Sequence, residues 1–424
     1  MIKKLIAIVA VLVLGNTAVK AQVGTASPYS FYGIGSLKFR GTMENRAMGG
    51  ISLFPDSLSM SIKNPASLGE LNFTNFAIGA TFTQLNLKSD SGDEKAKSSS
   101  FDYLVLGFPI NKKMGVNFGL LPYSSVGYAL QSITENGDYT RLTRLEGEGG
   151  MNKVFVSFGY EITKNLSIGA KGNYDFGKIE NSIISSTQGV ELSTKENNVS
   201  SLSGLDYTLS VNYTQPLKNK YALYAMGLYS PQASVTSDNE RLYQTISIFD
   251  NGYEAVREEY DADLAANGLD KTTIKLPSSA TLGLGFGKNN IWFVGAEYEY
   301  TQMSKLSNEF LTVNGLAYKD GYEYRLGAML TPEYNSFTSY FKRATYRLGL
   351  RYENTGMVIN DEEITDFGIS FGVGLPVGRI SKLNLGLDIG SRGTTNNSLI
   401  QENYISFRVG LSLIDRWFIK NKFN

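Results

Sequence analysis

Apolar and polar residues alternate along this chain with a period of two. In residues 165–176 (NLSIGAKGNYDF), Leu166, Ile168, Ala170, Tyr174 and Phe176 share one parity, while Asn165, Ser167, Lys171, Asn173 and Asp175 share the other. Residues 382–389 set Leu383, Leu385, Leu387 and Ile389 against Lys382, Asn384, Gly386 and Asp388. Ile405, Phe407, Val409, Leu411 and Leu413 oppose Tyr404, Ser406, Arg408, Gly410 and Ser412, and residues 367–375 alternate apolar side chains with Gly368, Ser370, Gly372 and Gly374. Such segments are strands with one greasy face and one polar or glycine face. Strands of a soluble sandwich are usually about five or six residues long. Many here run 9 to 14, with aromatics near their ends, the pattern of a transmembrane β-barrel.

The alternation predicts strands at 72–87, 101–110, 114–131, 152–162, 165–177, 203–215, 220–230, 277–288, 292–305, 320–330, 344–353, 364–375, 382–391 and 401–413. The fold class is therefore all-β, a fourteen-stranded antiparallel transmembrane barrel, with the even strand number of bacterial outer-membrane barrels. Connections alternate in length. Those at 111–113, 163–164, 216–219, 289–291 and 376–381 are short, with 331–343 the one long member of that side. Those at 88–100, 132–151, 178–202, 231–276, 306–319, 354–363 and 392–400 are longer. Short turns facing the periplasm and long loops facing outward place both termini in the periplasm. In the long outer loop 231–276, Val256, Tyr260 and Leu264 lie at i, i+4, i+8, which suggests a short surface helix over 250–266. Ile246, Ile248 and Phe249 in the same loop fit either a ligand contact or a partner surface.

The inward parity carries Lys153, Lys171, Arg325, Arg347, Arg351, Lys382 and Arg408, balanced by Glu161, Asp175, Glu297, Glu299, Glu323, Glu353 and Asp388. An ion-selective pore concentrates one sign at a constriction. Here Glu297/Glu299, Glu323/Arg325 and Arg347/Arg351 sit on three consecutive strands, which reads as a ladder of paired charges in a plugged lumen rather than a conducting pathway.

Composition narrows the chemistry. Lys+Arg 40 equals Asp+Glu 40, so no net field collects nucleic acid, and no nucleic-acid partner is expected. Cysteine and histidine are both absent, which removes disulfides, thiol nucleophiles, the usual metal sites and histidine-dependent triads. No enzyme activity, cofactor or metal is expected. Lys3 and Lys4, the apolar run LIAIVAVLVL at 5–14 and Val19-Lys20-Ala21 read as a signal peptide, residues 1–21, cleaved before Gln22. Ten apolar residues are half of the ~20 that a helical span requires. Cleavage removes three lysines, leaving 37 basic against 40 acidic residues.

Residues 22–71 precede the first strand and read as an ordered plug, with 72–424 forming the barrel. The plug holds two compact signatures, Arg46-Ala47-Met48-Gly49-Gly50 and Asn64-Pro65-Ala66. Gly49-Gly50 permits close backbone approach and Asn64-Pro65 favours a turn. With the strand pattern, these stretches resemble the outer-membrane long-chain fatty-acid transporter family, in a Bacteroidetes-like form. RAMGG at 46–50, PDSLSMS at 55–61, NPA at 64–66 and KLPSSATLGLG at 275–285 carry the resemblance. It implies an amino-terminal hatch inside a fourteen-stranded barrel, with Arg46, Gly49, Gly50, Asn64 and Pro65 as hatch positions. It also implies uptake of hydrophobic small molecules such as fatty acids, with lateral release into the membrane lipid.

The third strand contains Pro122, which cannot donate a ladder hydrogen bond and implies a break or bulge. That break is either harmless or a lateral opening, with Gly127 helping to accommodate the bend. Barrels of this shape also serve as non-transporting accessory subunits of protein export or assembly complexes. An apolar tunnel reaching Pro122 would favour transport. A sealed hatch with an exposed apolar outer patch would favour the accessory role and partner proteins in a membrane complex.

Overall fold

The computed structural model describes residues 24–53, 60–137, 139–249, 251–377 and 380–415. The ring opens with β1 (Thr74–Ser89), β2 (Gly92–Asn111), β3 (Met114–Pro122, resuming after Tyr123 as Ser124–Asn136), β4 (Tyr139–Thr163) and β5 (Leu166–Thr187). It continues with β6 (Ser193–Pro216), β7 (Tyr221–Ser230), β8 (Ser279–Lys288), β9 (Trp292–Thr301) and β10 (Gly321–Leu330). It ends with β11 (Thr345–Ile359), β12 (Glu362–Val377), β13 (Ser381–Arg392) and β14 (Gln401–Asp415). These are the fourteen strands that the alternation predicts. Every pairing is antiparallel, and β14 returns to β1 from Thr74↔Asp415 to Lys88↔Gln401. The expected signal peptide and residues 55–59 of the PDSLSMS stretch lie outside the described residues.

The two parities sort to two environments. Leu282, Leu284, Val294, Leu326, Leu348, Phe371, Ile389 and Phe407 are exposed on the outer surface, whereas Glu297, Arg325, Arg351 and Asp388 are buried inside. Water would reject that outer surface; a hydrocarbon layer accepts it. Tyrosines line up at one margin, where the register joins Tyr298, Tyr324 and Tyr352 on consecutive strands. At the other margin Tyr221, Phe286 and Trp292 stack together. Two aromatic girdles around an apolar band are the expected anchors at the two membrane interfaces. No described helix is long and apolar enough to cross a membrane.

The wall is uneven in height. β8, β9 and β10 have 10 residues each, close to the ~9–11 that span a bilayer. β4, β5 and β6 have 25, 22 and 24 residues and rise well beyond the band on the long-loop side. There Ala233–Ile248, Glu254–Asp261 and Lys271–Leu276 add a further sheet, with Ala233–Ile248 pairing along β6 from Val235↔Gly204 to Ile246↔Ser193.

Two expectations are corrected here. Residues 88–100, 132–151, 178–202, 231–276 and 354–363 are mostly strand, not loop. Above the band both faces of a hairpin are partly wet, so main-chain pairing continues after the period-two apolar signal has faded. The surface helix over 250–266 is absent from the described residues; Glu254–Asp261 is a strand paired to 242–248. A spacing of four also keeps residues on one face of a strand, so Val256 and Tyr260 could not distinguish the two. Both are exposed, and Leu264 is buried.

Candidate functional site: a plugged lumen and an interrupted wall

Residues 24–53 and 60–71 lie inside the ring and form its plug. A single helical turn, Met43–Arg46, starts at Thr42, whose side chain accepts from the Asn45 amide in a reciprocal capping box. The chain then reverses through Gly49 and Gly50, with φ of 72° and 98°. A Cβ on Gly49 would sit 2.6 Å from the Leu350 carbonyl oxygen, so this turn presses directly against β11. The Gly49 amide donates to Ser370 Oγ on β12 at 3.1 Å. Asn64 and Pro65 lead into the 3-10 turn Pro65–Glu70. Asn64 Nδ2 donates to Asn212 Oδ1 on β6 at 2.8 Å, and the Pro65 carbonyl packs on the bare face of Gly159 on β4. Both motifs therefore act where plug backbone meets wall backbone.

Charges fasten the plug around the circumference. Arg46 Nε donates to Asp388 Oδ2 at 2.6 Å. Glu44 Oε1 accepts from Asn384 Nδ2 at 2.7 Å and from Ser412 Oγ at 2.9 Å. The Ser52 amide donates to Glu297 Oε1 at 2.6 Å, and Lys63 Nζ reaches Glu299 Oε2 at 2.7 Å. Charges on the inner face of the wall also pair with one another. Register sets Glu297 opposite Arg325, and Arg325 bridges Glu299 at 2.6 Å, Glu297 at 3.4 Å and its own-strand neighbour Glu323. Arg351 pairs with Asp366 at 2.9 Å, and Arg347 donates to Asn384 at 3.2 Å. Glu299 thus joins wall to plug through Arg325, Lys63 and Arg40.

On the far side the wall is interrupted. β2 and β3 pair only from Leu104↔Leu120 to Asn111↔Met114. Beyond that, β2 continues to Gly92 with β1 as its partner, and β3 continues to Asn136 with β4 as its partner. Pro122 stands at the parting, opposite Asn152. Tyr123 turns the strand: its amide donates to the Met151 carbonyl at 2.7 Å, and its carbonyl accepts from the Lys38 amide of the plug at 2.8 Å. The bend is taken up across the ladder by Gly149 and Gly150, with φ of 105° and 143°, and not by Gly127. Gly127 instead donates its amide to Ser30 Oγ at 3.1 Å. The plug strand Ser36–Leu37 pairs with Ser124 and Ser125 at the break. Tyr123 lies between two cations, with Lys153 Nζ at 4.1 Å and Arg40 at 5.7 Å from its ring centre.

Behind the break lies a cavity of about 300 Å³ reaching Pro122 and Tyr123. Lys38, Arg40, Asp102, Glu353, Arg392 and Arg408 are among its lining residues. Burial pushes the Lys38 ammonium down to about 8. The first described residue, Gly24, also sits here, where a Cβ would meet Ser125 Oγ at 2.6 Å. Sequence reasoning located the break but missed Tyr123, Gly149-Gly150 and the plug strand that covers it. A Gly-Gly pair inside a long strand was the available signal.

Ring, plug and aromatic girdles together define a plugged fourteen-stranded membrane barrel, a fold that fits the outer membrane. The sequence model of the BamG family matches residues 1–424, and the chain belongs to that family. No curated protein sequence matches it. Among solved structures, the chain is similar to the Pseudomonas putida toluene transporter TodX, at 18% identity and a TM-score of 0.59, over 91% of this chain and 100% of that one. It is similar to a Pseudomonas aeruginosa FadL homologue at 11% identity and a TM-score of 0.56, over 91% and 100%. It is also similar to the CymD monoaromatic hydrocarbon channel at 13% identity and 0.54, over 90% and 98%. At these identities the likeness is one of fold.

Proposed function

We propose that this chain is an outer-membrane barrel, with its short turns in the periplasm, that serves as a non-enzymatic, non-conducting accessory subunit of a larger membrane complex. The observation that carries the reading is the wall break and what surrounds it. On β4 the last outward apolar residue before the break is Val154, paired with Leu120, while Arg141, Arg144 and Glu148 are exposed beyond it. On the β4 side the opening thus begins where the apolar band ends, and the cavity behind it mixes charged groups with apolar ones, Ile34, Phe39, Leu306 and Ile364 among them. An apolar molecule entering it would have to lie against buried charges such as Arg351, Asp366 and Glu402, and desolvating them opposes its entry. Apolar side chains meanwhile stand exposed on the added hairpin: Ile248, Phe249, Tyr253, Val256 and Tyr260. Purification in mild detergent from the native membrane tests the reading. A stoichiometric protein partner with no bound acyl or aromatic compound is expected; a lone barrel carrying such a compound would overturn it.

A second reading, uptake of a hydrophobic small molecule with lateral release, is favoured by the interrupted β2–β3 ladder and by the similar fold of the toluene transporter and the monoaromatic hydrocarbon channel. Under it, Pro122→Val closes the wall and lowers transport while the fold persists.

A further inference from the structure

We infer that the unpaired edge of β3 above the break, residues 129–135, is a docking strand for an extended segment of a partner protein, held by main-chain pairing. The inference rests on the accessory reading and adds the surface and the mode of contact.

Among the described residues, this stretch pairs with β4 along one edge only. The other edge accepts strands already: Ser36–Leu37 of the plug pairs with Ser124 and Ser125, then the plug turns away. Polarity along the strand can be assigned. The Gly127 amide points to Ser30 in the plug, and the Ser125 carbonyl faces Gly35. Main-chain groups alternate between the two edges of a strand, so Ala129, Gln131 and Ile133 also turn theirs away from β4. An unpaired edge is ordinarily protected by charge or proline. The facing stretch of β2 has that protection in Asp93, Glu94, Lys95 and Lys97. From Ser124 to Thr134 β3 has neither a charge nor a proline, and Ile133 is 64% exposed.

Among the described residues, no other strand of the chain pairs with 129–135. The first described residue, Gly24, reaches Ser125. Asp415 ends β14 at the opposite, short-turn rim, paired with Thr74. The edge also stands above the apolar band, alongside the exposed charges of β4, where a polypeptide rather than lipid meets it. The occupant with the right chemistry is therefore an extended segment of another protein, its open main-chain groups completing the ladder.

A photo-crosslinking residue at 129, 131 or 133, in cells making the full chain, tests this. Crosslinks are expected in one short stretch of one partner, advancing along it by about two residues per step, as strand pairing dictates. Scattered sites, no crosslink, or crosslinks to a second copy of this chain would overturn the assignment. Gln131→Pro with Ile133→Pro removes the outward donors and leaves the β4 ladder bonds in place. That variant should keep heat-modifiable migration and lose most of its co-purifying partner. Retention of the partner by the proline variant would overturn the edge assignment alone. Absence of any stoichiometric partner from the parent protein would overturn the accessory reading with it.

Discussion

The wall at β9–β11 and the wall at β2–β4 face the same plug and hold it by different forces. At β9–β11 the ladder is continuous from Trp292↔Leu330 to Thr301↔Gly321, and the plug is tied to it by charge, with Glu299 shared among Arg325, Lys63 and Arg40. At β2–β4 the ladder parts, and main-chain bonds from Ser36 and Lys38 stand in for the missing strand. The difference teaches where each seal is vulnerable. Buried charges are costly when one partner is lost, because the others remain desolvated. A two-residue β-pairing is locally weak and can be exchanged without unfolding the barrel.

The largest effect is therefore expected at the charged side. Glu299→Gln leaves Lys63 and Arg40 without their carboxylate and Arg325 with only Glu297 and Glu323, and should cost about 3–5 kcal/mol, read as a lowered temperature of heat-modification. Reversing Glu299 and Arg325 singly and together should give non-additive losses, with partial recovery in the double variant, in a double-mutant cycle. Additive losses would break the pair and leave the barrel intact.

A smaller effect is expected at the patched side. Ser36→Pro with Lys38→Pro removes plug donors at the break and should cost about 1 kcal/mol per lost hydrogen bond. Faster proteolysis near Gly24, with an unchanged melting temperature of the barrel, is the expected signature. An equal fall in both would mean that the break is not an independent unit.

The smallest effect concerns Lys38. Its folded-state pKa lies near 8, below its ordinary 10.5, so between those values the unfolded state binds more protons than the folded one. Stability gained from this group rises as pH climbs through that window, and below about 8 its burial penalty is constant. Lys38→Met should flatten the difference between pH 8 and pH 10.5; an unchanged slope would remove Lys38 as its source.

The barrel was legible in the sequence because lipid on one side and a packed polar lumen on the other impose a strict period of two. Every strand inside the band obeys it, and even the charge pairing of Glu297, Glu299, Glu323 and Arg325 followed from parity. Register between strands did not, so the bridging of Glu299 to Lys63 and Arg40 of the plug was not foreseen. Above the band the solvents on the two faces become alike. The hairpins of β1–β2, β3–β4 and β5–β6 then looked like loops, and the strand Glu254–Asp261 looked like a helix. Pro122 marked the break through its missing donor, but the strand that patches it, Ser36–Leu37, is too short to have a period.

The claim that the lumen is sealed by the plug is tested most directly by single-channel recording in a planar bilayer. The parent protein should give no stepwise conductance. Gly49→Val with Gly50→Val places side chains where φ is 72° and 98° and the Leu350 carbonyl is in contact, and should dislodge the plug and open discrete steps. Stepwise conductance in the parent, or none in the double variant while its barrel remains heat-modifiable, would contradict the account.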